Sequence, residues 1–196
     1  MNKNDKRKFL ITAAANAVAA KTALLEKAGD DIIEMAAEIA RALRKGGRLY
    51  LAGNGGSAAD CQHFATEMVV RLTGKFERAS LPAVALTTDG SLLTAAGNDY
   101  GFDLIFARQV EGLASRKDIL VTISTSGNSV NLIKAARVAR RKGVKVFSLL
   151  GCKGGKLKRL SDRSIIVPSD SVQRIQEEHT FIIHNLVQFI EWDLFA

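Results

Sequence analysis

The chain has 196 residues, of which 47% are hydrophobic and 24% charged, as expected for a globular protein with a core of its own. The net charge of +8 comes from small basic clusters without interleaved aromatic residues. Because no helix-turn-helix, zinc-finger or RNA-recognition pattern accompanies these clusters, solvated surface charge is the favoured interpretation, and we expect no nucleic-acid partner.

The two cysteines, Cys61 and Cys152, lie far apart and form no CxxC motif, which indicates a reducing compartment and a cytoplasmic protein. Basic residues followed by Phe9-Leu10-Ile11 superficially resemble a signal peptide, but the helical pattern continues through Leu24 and Leu25 without a break. No stretch has 18 uninterrupted apolar residues, so we expect neither a transmembrane helix nor a membrane partner.

Two amphipathic helices are predicted first, at about 5–27 and 29–45. The second is predicted to begin after Gly29, because Asp30 and Asp31 are favourable at a helix N-terminus, and to end at Gly46-Gly47. The first helix has an Ala-rich face with no place against a sheet. We therefore expect it to pack on the second helix or on another subunit.

Short apolar strands then alternate with helices along the chain. Strands are predicted at Arg48–Ala52, Ala83–Leu86, Ile119–Ser124, Val144–Leu150 and Ser164–Val167. Helices are predicted from the first glycine-rich loop to about Leu72 and at about 90–97, 102–114, 129–142 and 172–194. This alternation predicts an α/β fold, a three-layer sandwich around a five-stranded parallel sheet, flavodoxin-like or Rossmann-like. We expect one domain, 1–196, with helices in 1–46 and the αβα core in 47–196.

A serine-rich loop, Ser124-Thr125-Ser126-Gly127-Asn128-Ser129, follows the third strand and precedes a helix. Four hydroxyls and free backbone N–H groups at a helix N-terminus make an anion site suited to a phosphate. Asn128 or Ser129 is the expected N-cap. A serine-rich cap without a ligand is the alternative interpretation.

A second glycine-rich loop, Gly53-Asn54-Gly55-Gly56-Ser57, follows the first strand. Neither loop has the G-x-x-x-x-G-K-[ST] pattern of a nucleotide P-loop, and Ala58 breaks the G-x-G-x-x-G pattern of dinucleotide-binding proteins. Since ligands in parallel sheets bind beyond the C-terminal ends of the strands, both loops are expected at the site.

Histidines and a carboxylate occur on two helices. His63 and Glu67 share a helix face at i, i+4, a spacing that is usual for a surface hydrogen bond but also suits a first-row metal. Gln176, His179 and His184 follow on the last helix, where the apolar neighbours of His184 predict partial burial. Gln176 and His184 are separated by about 12 Å along the helix axis, which strains the idea that both bind one ion.

These motifs together resemble the sugar isomerase (SIS) domain family, in particular its phosphoheptose isomerases. The matching stretches are 53–57, 62–67, 93–100, 123–129 and 174–179, and the resemblance covers nearly the whole chain. It implies a cytoplasmic homotetramer that interconverts sedoheptulose 7-phosphate and D-glycero-D-manno-heptose 7-phosphate, the first step toward ADP-heptose for the lipopolysaccharide core.

The resemblance also implies the site residues. It assigns one Zn2+ per subunit to His63, Glu67, Gln176 and His184. It assigns the sugar phosphate to Asn54, Gly55, Gly56, Ser57, Glu67, Asn98, Asp99, Ser124, Thr125, Ser126, Ser129 and Gln176, with Arg71 nearby. Glu67 is the expected catalytic base and His184 its partner, although a zinc-bound carboxylate is a poorer base and His184 is an alternative base. A non-catalytic SIS protein that binds the replication initiator DnaA is the alternative function.

Overall fold

The computed structural model describes residues 1–196 and contains one sheet of five parallel strands. The strands are β1 (Leu49–Gly53), β2 (Ala83–Ala85), β3 (Ile119–Ser124), β4 (Lys145–Leu150) and β5 (Arg163–Ile166). Their order is β2-β1-β3-β4-β5, with Leu49 opposite Ile119 and Gly53 opposite Ile123 at the centre. The predicted parallel sheet is confirmed.

Six α-helices cover the two faces of the sheet. They are α1 (Lys3–Arg44), α2 (Gly56–Val69), α3 (Gly90–Tyr100), α4 (Ile105–Leu113), α5 (Val130–Arg141) and α6 (Val172–Phe195). One core joins α1, α2 and α6 to the sheet and the other joins α3, α4 and α5 to the opposite face, which gives the expected three layers. Element bounds differ from the predicted ones by a few residues, as is usual at frayed ends.

The N-terminal region departs from the prediction, because α1 is a single helix of 42 residues and has no break at Gly29. An apolar stripe that includes Leu24, Ala28, Ile32 and Met35 runs across that position and is buried. Tertiary packing of such a stripe, which here faces α6, outweighs the weak local preference of Gly29 and the acidic residues after it.

The outer half of α1 also contains apolar residues that the chain does not cover. Phe9, Leu10, Ile11 and Val18 are each more than 60% exposed. By length and composition, α1 contains an 18-residue window apolar enough to cross a membrane, of which 11% is buried. The sequence has no 18 uninterrupted apolar residues, and this window qualifies only by its mean hydropathy and low charge. Composition of this kind is weak evidence for a membrane, since core helices and signal sequences share it.

The sheet order determines where a ligand can bind. From β1 the chain crosses to β2 on one side, whereas β3, β4 and β5 follow on the other side. The connections therefore leave β1 and β3 in opposite directions, and loops at the C-terminal ends of these two strands border a crevice. The two glycine- and serine-rich loops, 53–57 and 124–129, occupy these ends.

Candidate functional site

The serine-rich loop after β3 is shaped by its own hydroxyl groups. Ser124 Oγ accepts a hydrogen bond from the Gly127 N–H at 3.1 Å, and Ser126 Oγ accepts one from the Asn128 N–H at 3.2 Å. Ser124 is buried, Thr125 and Ser129 are half-buried, and Ser126 is exposed. The loop therefore holds a fixed, inward-curved shape while it keeps hydroxyls accessible.

The start of α5 is not capped by Ser129 or Asn128, the two residues expected there. Ser129 occupies the N-cap position, but its hydroxyl makes no capping hydrogen bond. The Asn128 side chain instead donates to the Ser126 carbonyl and accepts from the Lys156 N–H. The expected cap is therefore absent. Asn131 Oδ1 accepts the Leu132 N–H at 2.9 Å, which leaves the N–H groups of Val130 and Asn131 in the first turn of α5 available to an anion. This observation favours the phosphate site over a simple serine-rich cap.

A third loop, residues 151–155, supports the serine-rich loop and was not anticipated from the sequence. Gly127 has φ +65°, and a Cβ atom there would lie 2.1 Å from the Gly154 carbonyl oxygen. A Cβ atom on Gly155 would lie 2.5 Å from the Ser126 carbonyl oxygen. The two backbones thus touch directly, as only glycine allows. The sequence Gly151-Cys152-Lys153-Gly154-Gly155 was the available signal.

The glycine-rich loop after β1 leads into α2 through Gly55, whose φ is +55°. Asn54 does not face solvent freely, because its side-chain amide exchanges two hydrogen bonds with that of Asn131 on α5, at 3.0 and 2.9 Å. Asn131 is 3% exposed and was not predicted as a site residue. The amide pair joins the two loops, and the N-termini of α2 and α5 therefore border one crevice.

The side chains on α2 and α6 meet in part. His63 Nε2 lies 2.8 Å from His184 Nε2, and the rings are nearly perpendicular. The Glu67 Oε1 lies 3.7 Å from Nδ1 of His63, on the other side of that ring. His184 is exposed rather than partly buried, since its apolar neighbours occupy the opposite face of α6. The buried histidine of α6 is His179.

Gln176 lies about two turns before His184, beside the glycine-rich loop. A Cβ atom on Gly56 would lie 2.3 Å from Gln176 Nε2, so the amide covers that glycine closely. A cavity of about 370 Å³ lies beside Gln176 and is lined by residues of α2 and α6 that include Asp60 and Thr180. Gly56 and Gln176 also line it, whereas the histidine pair does not. This cavity is separate from a cavity of about 410 Å³ elsewhere in the fold.

Asp60 is a site residue that sequence reasoning missed. Its Oδ1 accepts a hydrogen bond from the Thr180 hydroxyl at 3.3 Å, whereas its Oδ2 is buried without a partner. Burial raises the pKa of this carboxyl group, and the Thr180 hydrogen bond and His63 oppose the shift in part. An unpaired buried carboxylate oxygen in the cavity is a group available to a ligand hydroxyl or a proton.

Other predicted residues lie apart from these groups. Asn98 and Asp99 are exposed at the end of α3, where the Asn98 amide donates to Asp99 at 2.9 Å. They make no hydrogen bond to either loop of the crevice. Arg71 is ion-paired with Glu77 just beyond α2. Ser57 is buried in the first turn of α2.

A buried arginine fixes the end of α2. Arg78 donates to the carbonyl oxygens of Glu67 at 2.7 Å and Met68 at 2.8 Å, and its Nε lies 2.8 Å from Glu191 Oε1 on α6. Arg78 lies in an irregular segment among other charged residues, so no local pattern distinguishes it from a surface arginine.

Two side chains of this chain, His63 and His184, are placed to bind one zinc ion. Two zinc-bound imidazole nitrogens in tetrahedral geometry lie about 3.3 Å apart, so the histidine pair needs to open by only about half an ångström. Glu67 contacts His63 on the nitrogen that faces away from His184, a place where carboxylates orient zinc-binding histidines. Gln176 is not brought to the same point, and the chain contains no cluster of three His, Cys, Asp or Glu side chains suited to a metal.

Comparisons with known proteins identify the family of the chain. The family model of the SIS domain matches residues 14–151. A phosphoheptose isomerase of Pelobacter propionicus is 51% identical over 163 residues, covering 83% of this chain and 85% of the relative. The structure of the phosphoheptose isomerase GmhA from Neisseria gonorrhoeae is 40% identical with a TM-score of 0.89, covering 95% of this chain and 98% of that one. A phosphoheptose isomerase structure from Francisella tularensis is 35% identical with a TM-score of 0.91, covering 98% and 100%.

Proposed function

The chain belongs to the SIS domain family and to the phosphoheptose isomerases within it, and we propose that the crevice between β1 and β3 carries out the isomerisation. The enzyme is an aldose–ketose isomerase that interconverts sedoheptulose 7-phosphate and D-glycero-D-manno-heptose 7-phosphate. The observation that carries the assignment of the site is the uncapped start of α5 behind the serine-rich loop. It supplies an anion site at the switch point of the sheet.

The phosphate is bound by the serine-rich loop in this proposal. Ser124, Thr125, Ser126 and Ser129 supply hydroxyls, and the first N–H groups of α5 supply donors with a favourable helix dipole. Asn54, Gly55, Gly56 and Ser57 form the neighbouring wall, with Asn98 and Asp99 at the outer edge. Fixing the phosphate holds the open-chain sugar in register for proton transfer.

Proton transfer between C1 and C2 is assigned to Glu67 and His184. The reaction proceeds through an enediolate, so it needs a base at the carbon and an acid near the oxygens. Glu67 is half-buried on α2, and His184 is linked to it through His63, with N–N and N–O separations of 2.8 and 3.7 Å. Glu67 contacts His63 only through Oε1, which lies beside Nδ1 of the ring. A carboxylate oxygen therefore remains free to accept the proton from the substrate carbon.

We propose one Zn2+ per subunit held by His63 and His184, with Glu67 and Gln176 as the remaining ligands that the family resemblance implies. In this structure Glu67 lies beside Nδ1 of His63, on the side away from His184, so its side chain would have to turn to reach the ion. When bound, zinc supplies Lewis-acid stabilisation of the oxyanion that develops on the sugar. The juxtaposed imidazole nitrogens support this assignment.

The enzyme is proposed to be a cytoplasmic homotetramer. The support is the exposed apolar surface of α1 and the open side of the groove between α2 and α6, where His63 and His184 are accessible. A second copy that covers these surfaces would exclude water from the reacting carbons. The product is proposed to enter ADP-heptose synthesis for the lipopolysaccharide core.

The decisive experiment incubates the purified protein with sedoheptulose 7-phosphate and zinc and identifies the product by NMR. Formation of the aldose phosphate is expected. Failure to form it in the folded, zinc-loaded protein would contradict the proposed function. It would favour the alternative of a DnaA-binding SIS protein, which the relatives do not support.

A further inference from the structure

A second cavity lies at the opposite end of the sheet from the serine-rich loop, where β3 and β4 begin. Its volume is about 410 Å³, and its walls are the last turn of α1, the loop before β3 and the first residue of β4. Small-molecule sites commonly measure roughly 300–1,000 Å³, so this cavity has the size of a metabolite site. From Ile119 to Ser124 the strand β3 separates it from the serine-rich loop by roughly 17 Å.

Positive charge dominates the lining of this cavity. Its charged side chains are Arg41, Lys45, Arg116, Lys117 and Lys145, with Glu38 and Asp118 as the two acidic ones. Lys145 is neutralised by Glu38 at 2.6 Å, and Glu38 also pairs with Arg163. Burial opposes the ionisation of Glu38, but the hydrogen bonds from Lys145 and Arg163 outweigh it and lower the pKa of this carboxyl group.

Asp118 has a structural role in the loop before β3. It is 5% exposed, and its two oxygens accept hydrogen bonds from the Arg48 N–H at 2.8 Å and the Ser115 N–H at 2.7 Å. The turn that ends α1 packs against this loop so closely that a Cβ atom on Gly47 would lie 2.2 Å from the Lys117 carbonyl oxygen. The backbone that carries Arg116 and Lys117 is therefore fixed in place.

Four cations remain without a carboxylate partner, and they face each other across the cavity. Arg41 and Lys45 stand on the α1 wall, and Arg116 and Lys117 stand on the loop wall. None of the four takes part in an ion pair of this structure, whereas Lys145 and Arg163, at the starts of β4 and β5, both do. Their positive charges add to one local field, which attracts an anion to the space between the two walls.

We propose that this cavity binds a small anion with two or more phosphate groups, of the class of a nucleoside diphosphate. Two cationic walls suit two phosphate groups better than one, because each wall supplies a pair of cations to a separate group. Ala42 and Ile119 add an apolar surface for the uncharged part of the ligand. The site is distinct from the sugar-phosphate crevice and does not depend on the proposed isomerisation.

Isothermal titration calorimetry with ADP, and separately with inorganic pyrophosphate, tests the proposal. The variant Arg116→Ala/Lys117→Ala removes one wall, and both residues are exposed, so the fold is expected to persist. The matched control Lys27→Ala/Arg137→Ala removes two exposed, unpaired cations from α1 and α5 outside the cavity. We expect affinity for both probes to fall roughly tenfold to a hundredfold in the first variant and to stay near wild type in the control.

Three results would overturn the proposal. Equal affinity of wild type and Arg116→Ala/Lys117→Ala would assign any binding to the serine-rich loop, which that variant leaves intact. An equal loss of affinity in the control variant would show that binding depends on the net charge of the protein and not on this cavity. A duplex oligonucleotide that binds more tightly than ADP, and is lost in the same variant, would make the cavity part of a nucleic-acid surface.

Discussion

Arg78 and Glu191 form an ion pair from which solvent is excluded, with side-chain exposures of 0% and 1%. The same guanidinium donates to the carbonyl oxygens of Glu67 and Met68 at the end of α2. Glu191 belongs to α6, so the pair joins the two helices that carry His63, Glu67 and His184. The position of the proposed base therefore depends on a residue that never touches the substrate.

Replacing this arginine by an apolar side chain of similar length, Arg78→Met, should destabilise the protein by about 3–5 kcal/mol, because Glu191 would be left buried and unpaired. Urea unfolding measures the change. Activity of the folded fraction should fall as well, mainly through kcat, since the carbonyl groups of Glu67 and Met68 at the end of α2 lose their guanidinium donor.

A matched control is Arg108→Met. Arg108 pairs with Glu111 on α4, but the two side chains are 48% and 59% exposed, so the loss should be about 0–1 kcal/mol. Similar losses in both variants would show that the buried pair has no special structural role.

Glu67→Gln should remove turnover while the fold persists, because an amide cannot accept the carbon-bound proton. A loss of kcat of roughly 10²–10⁴-fold is expected for a general base, measured by NMR of the product, with circular dichroism to verify folding. Glu111→Gln changes an exposed carboxylate of α4 and should be silent. Wild-type turnover in Glu67→Gln would remove Glu67 from the mechanism.

Gly127→Ala should impair phosphate binding. The added methyl group would lie 2.1 Å from the Gly154 carbonyl oxygen at a φ of +65°, so the serine-rich loop must shift. KM is expected to rise, and stability to fall. Gly112→Ala is the control, since Gly112 lies in α4 with nothing within 4 Å of the new methyl group, and it should stabilise the protein by about 0.5–1 kcal/mol. An unchanged KM in Gly127→Ala would argue against the loop as the phosphate site.

Zinc binding should depend on the facing imidazoles. We expect His63→Ala and His184→Ala to lose bound zinc, measured by mass spectrometry of the purified protein, and His179→Gln to retain it. Chelation should depress the activity of the wild type, and added zinc should restore it. Full zinc occupancy in both alanine variants would place the metal elsewhere.

Acid should weaken the fold through His179. Burial lowers the pKa of this imidazole from its ordinary value of 6.5 to about 4, although a hydrogen bond to the Leu150 carbonyl opposes the shift. Above pH 6.5 neither state binds the proton. Between pH 6.5 and 4 only the unfolded chain does, so stability is lost as the pH falls through this window.

The expected loss from this group between pH 7 and pH 4.5 is about 2–3 kcal/mol, measured by urea unfolding at the two pH values. His179→Gln removes the titration and should show a smaller difference. An identical difference in wild type and variant would assign the acid sensitivity to other groups.

The sheet and its two ligand loops could be predicted because β3 is mostly apolar and ends at a dense run of hydroxyl residues. The continuity of α1 through Gly29 could not, since it depends on burial against α6, which is a tertiary effect. Pairings such as Asn54 with Asn131, and Arg78 with Glu191, join residues far apart in the chain. Nothing local distinguishes those side chains from their exposed counterparts. The family assignment to phosphoheptose isomerases was confirmed by the relatives.

The length of α1 has a consequence for the folding equilibrium. Its 42 residues extend about 63 Å, whereas a domain of this size measures about 40 Å across. The outer turns thus lie beyond the body that could shelter them, and an unsheltered helical segment is marginal in water. If the proposed second copy covers these turns, helix content at the N-terminus would follow mass action, and dilution would melt this segment before the sheet responds.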